Sequence, residues 1–321
     1  MTNHAIKILA IILMCARHIG RYLYSFSGSS IYSGLGYLGL LLLAAGAISY
    51  PLFAYLAAEG VHHTKNVSRY MTGLGVLAIF SEIPYNFYCQ PLYPYVPVIS
   101  RGDCYSLFLI GCVLLSVWTV FKFHKTRPMI CVCSFMGTLG FLLLSLFLAI
   151  GFDGRLFSWG NYIFLNYAHF RNPLISIFLG VVALFLMQNI KPAWGKVFVL
   201  AVFAVLASLV RAEYGAVGVL MLYVFYFFRE KKIKLFIGFL LLLLVYTFGV
   251  RDVGIAQVLK IMAGEDLQSV WPMTALLAYV PMYFYNGERG KYWSKYIYYF
   301  LYPVHLFGIY VLIRLIMKIF A

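Results

Sequence analysis

The first apolar run of the chain carries basic and imidazole side chains where hydrocarbon is expected. Lys7 to Tyr24 reads KILAIILMCARHIGRYLY and sets Arg17, His18 and Arg21 in the second half of a candidate membrane span. An ionisable group at that depth costs at least ~2.5 kcal/mol even on lenient insertion scales. It therefore lines a protein cavity, or it snorkels and satisfies carbonyls of neighbouring helices. Lys7 and His18 are eleven positions apart, close to three helical turns, which puts both on one face about 16 Å apart along the axis. Three nitrogenous side chains within five positions point to a lined cavity.

Other ionisable residues recur where apolar ones are expected. Glu59, His62 and His63 share a helix face at spacings of three and four, followed by Thr64, Asn66 and Arg69, and form either a headgroup cluster or a cavity lining. Glu82 sits in LAIFSEIPYNF ahead of Pro84, which frees backbone carbonyls and bends the helix. Such a carboxyl is protonated if alone, or kept ionised by a partner such as Arg17, Arg21 or His18. Asn172 suits a helix cap. RAEYGAVG (211–218) is a turn whose arginine and acid either line an outer cavity or are solvated, and YPVHLFGIY (302–310) sets His305 just after Pro303, as a hydrogen-bonded structural residue or a functional one. YNGERGKY (285–292) is an Asn-Gly turn carrying Asn286, Arg289 and Lys291. It suits inner-leaflet phosphates or a phosphorylated cofactor.

The elements that position these residues are transmembrane helices. The chain has 321 residues, 63% hydrophobic content, mean hydropathy +0.88 and 11% charged residues, which excludes a soluble domain. Spans are expected near 6–26, 36–60, 72–88, 104–121, 129–150, 173–188, 197–211, 214–228, 233–250, 271–285 and 296–317. The fold class is an all-α integral membrane protein, a single polytopic bundle of about ten or eleven helices over 1–321. With a cytoplasmic N-terminus, Lys7 and the alternate loops 62–69, 122–127, 189–196, 229–234 and 286–295 hold 15 of the 25 Lys and Arg residues. Asp103, Asp153, Glu213, Asp252, Glu265 and Asp266 fall on the opposite side. The formal charge of +15 is thus a topology signal and not a nucleic-acid patch. The long outer loops 89–103 and 151–172 are aromatic-rich, and a third spans 251–270. Cys89 and Cys104 could flank one loop and pair. No metal-ligand spacing, Walker loop or nucleophile elbow appears.

Together, IKILAIILM, PLFAYLAAEGVHHTKNVSRYM, FSEIPYNF, NPLISIFLG, EYGAVGVLMLY and VPMYFYNGERGKYWSKYIYYFLYPVHL, in this order, resemble the TraX family, membrane proteins of conjugation systems linked to N-terminal acetylation of pilin. The family looks related to wider transmembrane acyltransferases, whose first helix carries a basic residue, ten intervening residues and a histidine. The resemblance implies His18 as the catalytic histidine and Lys7 near acyl-CoA. It sets Glu59, Arg69, Glu82, Asn86, Glu213, Tyr214, Asn286, Arg289 and His305 in motif positions. Two departures stand out: Arg17 where the family has Asp, and Glu213 where it has Asp. A guanidinium beside His18 opposes its basicity, so another acid such as Glu82 or Glu213 takes over, or the acceptor chemistry differs.

The expected function is an acetyl-CoA-dependent acyltransferase of the bacterial inner membrane, acting on an amine (a pilin-like N-terminus) or a hydroxyl of a glycan or lipid. Expected roles are catalytic for His18, Glu82, Glu213 and His305, and acyl-CoA binding for Lys7, Arg69, Asn286, Arg289 and Lys291. Arg17, Arg21, Glu59, Asn86 and Tyr214 are expected at the acceptor. No metal is expected; membrane lipids are the standing partner and nucleic acid is not one. The rival classes are a transporter or flippase, and a scaffold for appendage assembly.

Overall fold

Away from water, long apolar segments must satisfy their own backbone N–H and C=O groups, and a helix does so within one segment. The structure, a computed structural model, describes residues 1–28, 34–92, isolated positions between 111 and 140, 171–250, 267–290 and 294–320. The helices are α1 (Asn3–Phe26), α2 (Gly34–Gly46), α3 (Ser49–His63), α4 (Val67–Cys89), α5 (Leu174–Gln188), α6 (Ala193–Leu209), α7 (Gly215–Phe228), α8 (Lys232–Leu244), α9 (Tyr279–Tyr283) and α10 (Lys295–Phe320). A π-helical turn over Val245–Val250 continues α8, and a 3-10 helix over Leu267–Ala278 leads into α9. Among the described residues there is no strand, only an isolated bridge between Arg171 and Ala212. The chain forms two units, Met1–His63 with Leu220–Ala321, and Thr64–Val219.

In the first unit, α1 buries Ile6, Ala10, Met14, His18 and Tyr22, one stripe at every fourth residue. His18 thus occupies a core position of its helix. Against α1 lies α2, which buries Gly36, Gly39, Leu43 and Gly46. A Cβ on Gly39 would stand 2.5 Å from the Tyr24 backbone nitrogen, and one on Gly46 would overlap the Cβ of Arg17. These small residues let the two backbones touch. The expected 36–60 span is interrupted at Ala47–Ile48. Pro51 cannot continue a helix past the Ala47 carbonyl, and the freed carbonyls are taken up by hydroxyls: Ser49 Oγ donates to Gly46 (2.7 Å) and Thr274 Oγ1 to Ala44 (2.6 Å). Lys7 meets Tyr298 and His18 meets His305, so α1 and α10 run parallel.

The second unit is built on α5, whose residues from Ile175 to Leu184 are all buried, as in a helix enclosed on every side. Asn66 caps α4 by accepting from the Arg69 N–H at 2.9 Å.

Gly34–His63 and Ile297–Ile319 are long and apolar enough to cross a membrane. On α8 both faces are apolar: Leu235, Phe239 and Leu243 are buried while Ile233, Ile237 and Leu241 are exposed. On α10, Phe300, Val304, Phe307, Leu312, Leu315 and Ile319 are exposed. The expected 271–285 span differs most from the structure. Its first part is 3-10 and only Tyr279–Tyr283 is α-helical; Pro272 and Pro281 each remove an N–H donor from the segment. The expected spans near 104–121 and 129–150, Cys104 and most of the three outer loops lie outside the described residues.

Candidate functional site

In the first unit, α1 and α10 are joined by three polar contacts. Near the start of α1, Lys7 Nζ lies 4.9 Å from the centroid of the Tyr298 ring, and His4 Nδ1 is 2.6 Å from the Tyr298 hydroxyl. Further along, His18 Nδ1 stands 3.0 Å from His305 Nε2, and His305 Nδ1 lies 2.9 Å from the Leu301 carbonyl one turn back. His18 is 5% exposed, and its ring centroid is 5.0 Å from that of His305. The expected face shared by Lys7 and His18 is therefore matched by a second helix, α10, with Tyr298 and His305 seven residues apart. Arg17 and Arg21 are half-buried beside His18 and close enough to act on it electrostatically.

The loop before α10 wraps the start of α1. Asn3 and His4 donate their backbone N–H groups to the carbonyls of Glu288 (2.8 Å) and Arg289 (3.1 Å), and Thr2 caps Ala5. These contacts consume the helix N–H groups that would otherwise attract an anion. Any phosphate held here relies on side chains. Lys7 and Arg289 are near enough to repel each other, and neither forms an ion pair with a carboxylate among the described residues. Asn286 turns instead to Glu288, donating from Nδ2 to Oε2 at 2.8 Å. Gly287 and Gly290 both take positive φ, the conformation that lets this loop fold tightly. Lys291 lies outside the described residues.

At the end of α3, Glu59 is buried and pairs with Arg229 (3.5 Å) and His63 (3.3 Å). His62 stacks on Tyr226 with centroids 3.9 Å apart and planes 9° apart. Arg69 is exposed.

Glu82 belongs to the second unit, and its ion partner is neither Arg17, Arg21 nor His18. Its Oε1 lies 3.7 Å from Nη1 of Arg171, both side chains being at most 3% exposed. Its Oε2 accepts from the Asn172 backbone N–H (3.2 Å) and from Asn172 Nδ2 (2.5 Å). Asn172 Nδ2 also donates to the Ala78 carbonyl (2.9 Å), and its Oδ1 accepts from the Leu174 N–H (3.0 Å). The residue that the sequence offers as a simple cap thus fastens the start of α5 to the middle of α4. Arg171 in turn donates its N–H to Arg211 (2.9 Å) and accepts from Glu213 (3.1 Å). Tyr85 donates to Glu213 Oε2 at 3.3 Å, and Asn86 and Tyr214 are buried nearby in the same unit. Arg171 and Arg211 lie outside the helices; burial pulls both below the ordinary arginine value, opposed at Arg171 by Glu82. Arg211 has φ +54°, a strained conformation for a non-glycine residue. Glu82 therefore acts as the centre of a clamp.

Sequence reasoning missed Arg171, Tyr298, Tyr226 and Arg229 as site residues. Arg171 carried no local signal beyond a loop cation. Tyr298 was detectable in principle, two turns ahead of His305.

Among the described residues, no group of His, Cys, Asp and Glu could hold a metal. The family model described as TraX protein matches residues 2–138 and 154–314. No curated protein and no solved structure matches the chain.

Proposed function

We propose, since the chain belongs to the TraX family, that it is an integral membrane acyltransferase moving acetyl from cytoplasmic acetyl-CoA to an amine or hydroxyl acceptor. One observation carries this reading: a single face of α1 presents a cation at its start and a buried histidine three turns on, and α10 answers both. The CoA phosphates would bind Lys7 and Arg289, two neighbouring cations that form no ion pair with a carboxylate among the described residues, together with Lys291, which follows in the sequence. His18 would take the proton from the acceptor as its nitrogen or oxygen bonds to the thioester carbonyl carbon. The C–S bond then breaks and His18 returns the proton to the departing thiolate. Glu82 would take a positioning role, its Oε2 accepting two hydrogen bonds from Asn172 and its Oε1 facing Arg171 at 3.7 Å.

The membrane arrangement is a polytopic bundle of the bacterial inner membrane with its N-terminus in the cytoplasm. Basic residues on alternate loops support it, as do the exposed aliphatic faces of α8 and α10, which suit lipid better than water. The first and last spans run parallel, as an odd number of crossings requires. Eleven spans satisfy this.

The test is binding of acetyl-CoA to the full chain in nanodiscs, comparing wild type with Lys7→Ala and Arg289→Ala. Saturable binding, weakened by both variants and by added salt, is expected. No binding of any acyl-CoA by the wild type would overturn the proposal and leave the transporter or scaffold reading.

A further inference from the structure

We infer that Tyr298 is a positioning residue for the phosphate site, its ring face fixing where the Lys7 ammonium stands. Lys7 and Arg289 are neighbouring like charges, and among the described residues neither is paired with a carboxylate. Such a pair drifts apart unless each member is held by something uncharged. The main chain holds the loop of Arg289. The Arg289 carbonyl accepts from the His4 N–H (3.1 Å), the Glu288 carbonyl accepts from the Asn3 N–H (2.8 Å), and the Asn286 N–H donates to the Met1 carbonyl (3.1 Å). Gly290, at φ +72°, closes on Thr2 so tightly that a Cβ would overlap the Thr2 hydroxyl.

Lys7 needs a different anchor. Among the described residues, the contact that attracts its ammonium is the Tyr298 ring, whose centroid is 4.9 Å from Nζ. The Tyr298 hydroxyl lies 2.6 Å from His4 Nδ1, and His4 and Lys7 are three residues apart on one face of α1. One tyrosine of α10 thus spans both, its hydroxyl on His4 and its face toward Lys7. A neutral ring attracts the ammonium without cancelling the charge that a phosphate needs, which a carboxylate would do. Lysine's stem is flexible and costly to order, so seating it in advance removes part of the cost of binding. Two cations kept side by side in this way suit a polyanion such as a diphosphate. The ring contact stands on its own; its role in donor binding rests on the acyltransferase reading.

The test is coenzyme A binding to the full chain in nanodiscs, measured for Tyr298→Leu, Lys7→Met and the double variant. Tyr298→Leu should weaken binding about three- to tenfold, and Tyr298→Phe, which keeps the ring face, should recover most of that loss. In the Lys7→Met background, Tyr298→Leu should change the affinity by less than about twofold, because the tyrosine acts through Lys7. Equal weakening in both backgrounds, or Tyr298→Phe binding as poorly as Tyr298→Leu, would overturn the inference. If Tyr298→Leu does not fold, NMR of the wild type decides. The Lys7 ε-methylene signals, assigned by their loss in Lys7→Met, should be shifted upfield by the ring, and ordinary positions would refute the contact. No coenzyme A binding by the wild type would sink the acyltransferase reading and this role together. Binding that is indifferent to Tyr298→Leu would sink this role alone.

Discussion

Removing one half of the Glu82–Arg171 pair while keeping the other should destabilise the second unit more than removing both. Both side chains are nearly inaccessible to water, and breaking a buried ion pair typically costs about 3–5 kcal/mol because one charge is stranded. Arg171→Met leaves Glu82 with its two hydrogen bonds from Asn172, which puts the loss near the lower end, about 3 kcal/mol. Glu82→Leu removes the buried carboxylate facing Arg171 and also deprives the Asn172 backbone N–H of its acceptor. The unmet N–H adds about 1–3 kcal/mol. Asn172 Nδ2 keeps the Ala78 carbonyl in that variant. The double variant strands no charge and retains only the unmet N–H, so its loss should be about 1–3 kcal/mol. The assay is equilibrium unfolding in mixed micelles followed by tryptophan fluorescence, arranged as a double-mutant cycle. A coupling energy of at least about 2 kcal/mol is expected. Singles that each cost under about 1 kcal/mol and simply add would refute the buried clamp.

Two further perturbations probe packing and backbone. Gly46→Leu should separate α1 from α2, because even a Cβ there overlaps Arg17; a loss of at least about 1–3 kcal/mol is expected in the same unfolding assay. At Arg211, held at φ +54°, Arg211→Val should be less stable than Arg211→Asn by about 1–2 kcal/mol, since asparagine tolerates the left-handed region and a β-branched residue does not. Equal melting of those two variants would argue against that backbone conformation.

The helices were legible in the sequence to the extent that each is set by its own residues. α1 and α10 appear within a few residues of the expected spans because an uninterrupted apolar run is a local signal. The break at Ala47 and the 3-10 segment before Tyr279 were less visible. Prolines 51, 272 and 281 announce a disturbance without saying whether the helix bends, stops or tightens. At the site, the face shared by Lys7 and His18 followed from helical periodicity, and His305 was marked by its place in an apolar run. Their joining was not readable, because His18 and His305 are 287 residues apart and no periodicity reports contacts between helices. Glu82 shows the same limit more sharply. Its setting allowed either a protonated carboxyl or a cationic partner, and the candidates at hand were Arg17, His18 and Arg21 of α1, not Arg171.

The most direct measurement is turnover of acetyl-CoA by the purified full chain in nanodiscs, wild type against His18→Ala. Slow release of free CoA without acceptor, lost in His18→Ala while acetyl-CoA binding persists, is the predicted result. Turnover that is unchanged in His18→Ala, or no turnover despite saturable binding, would contradict His18 as the base.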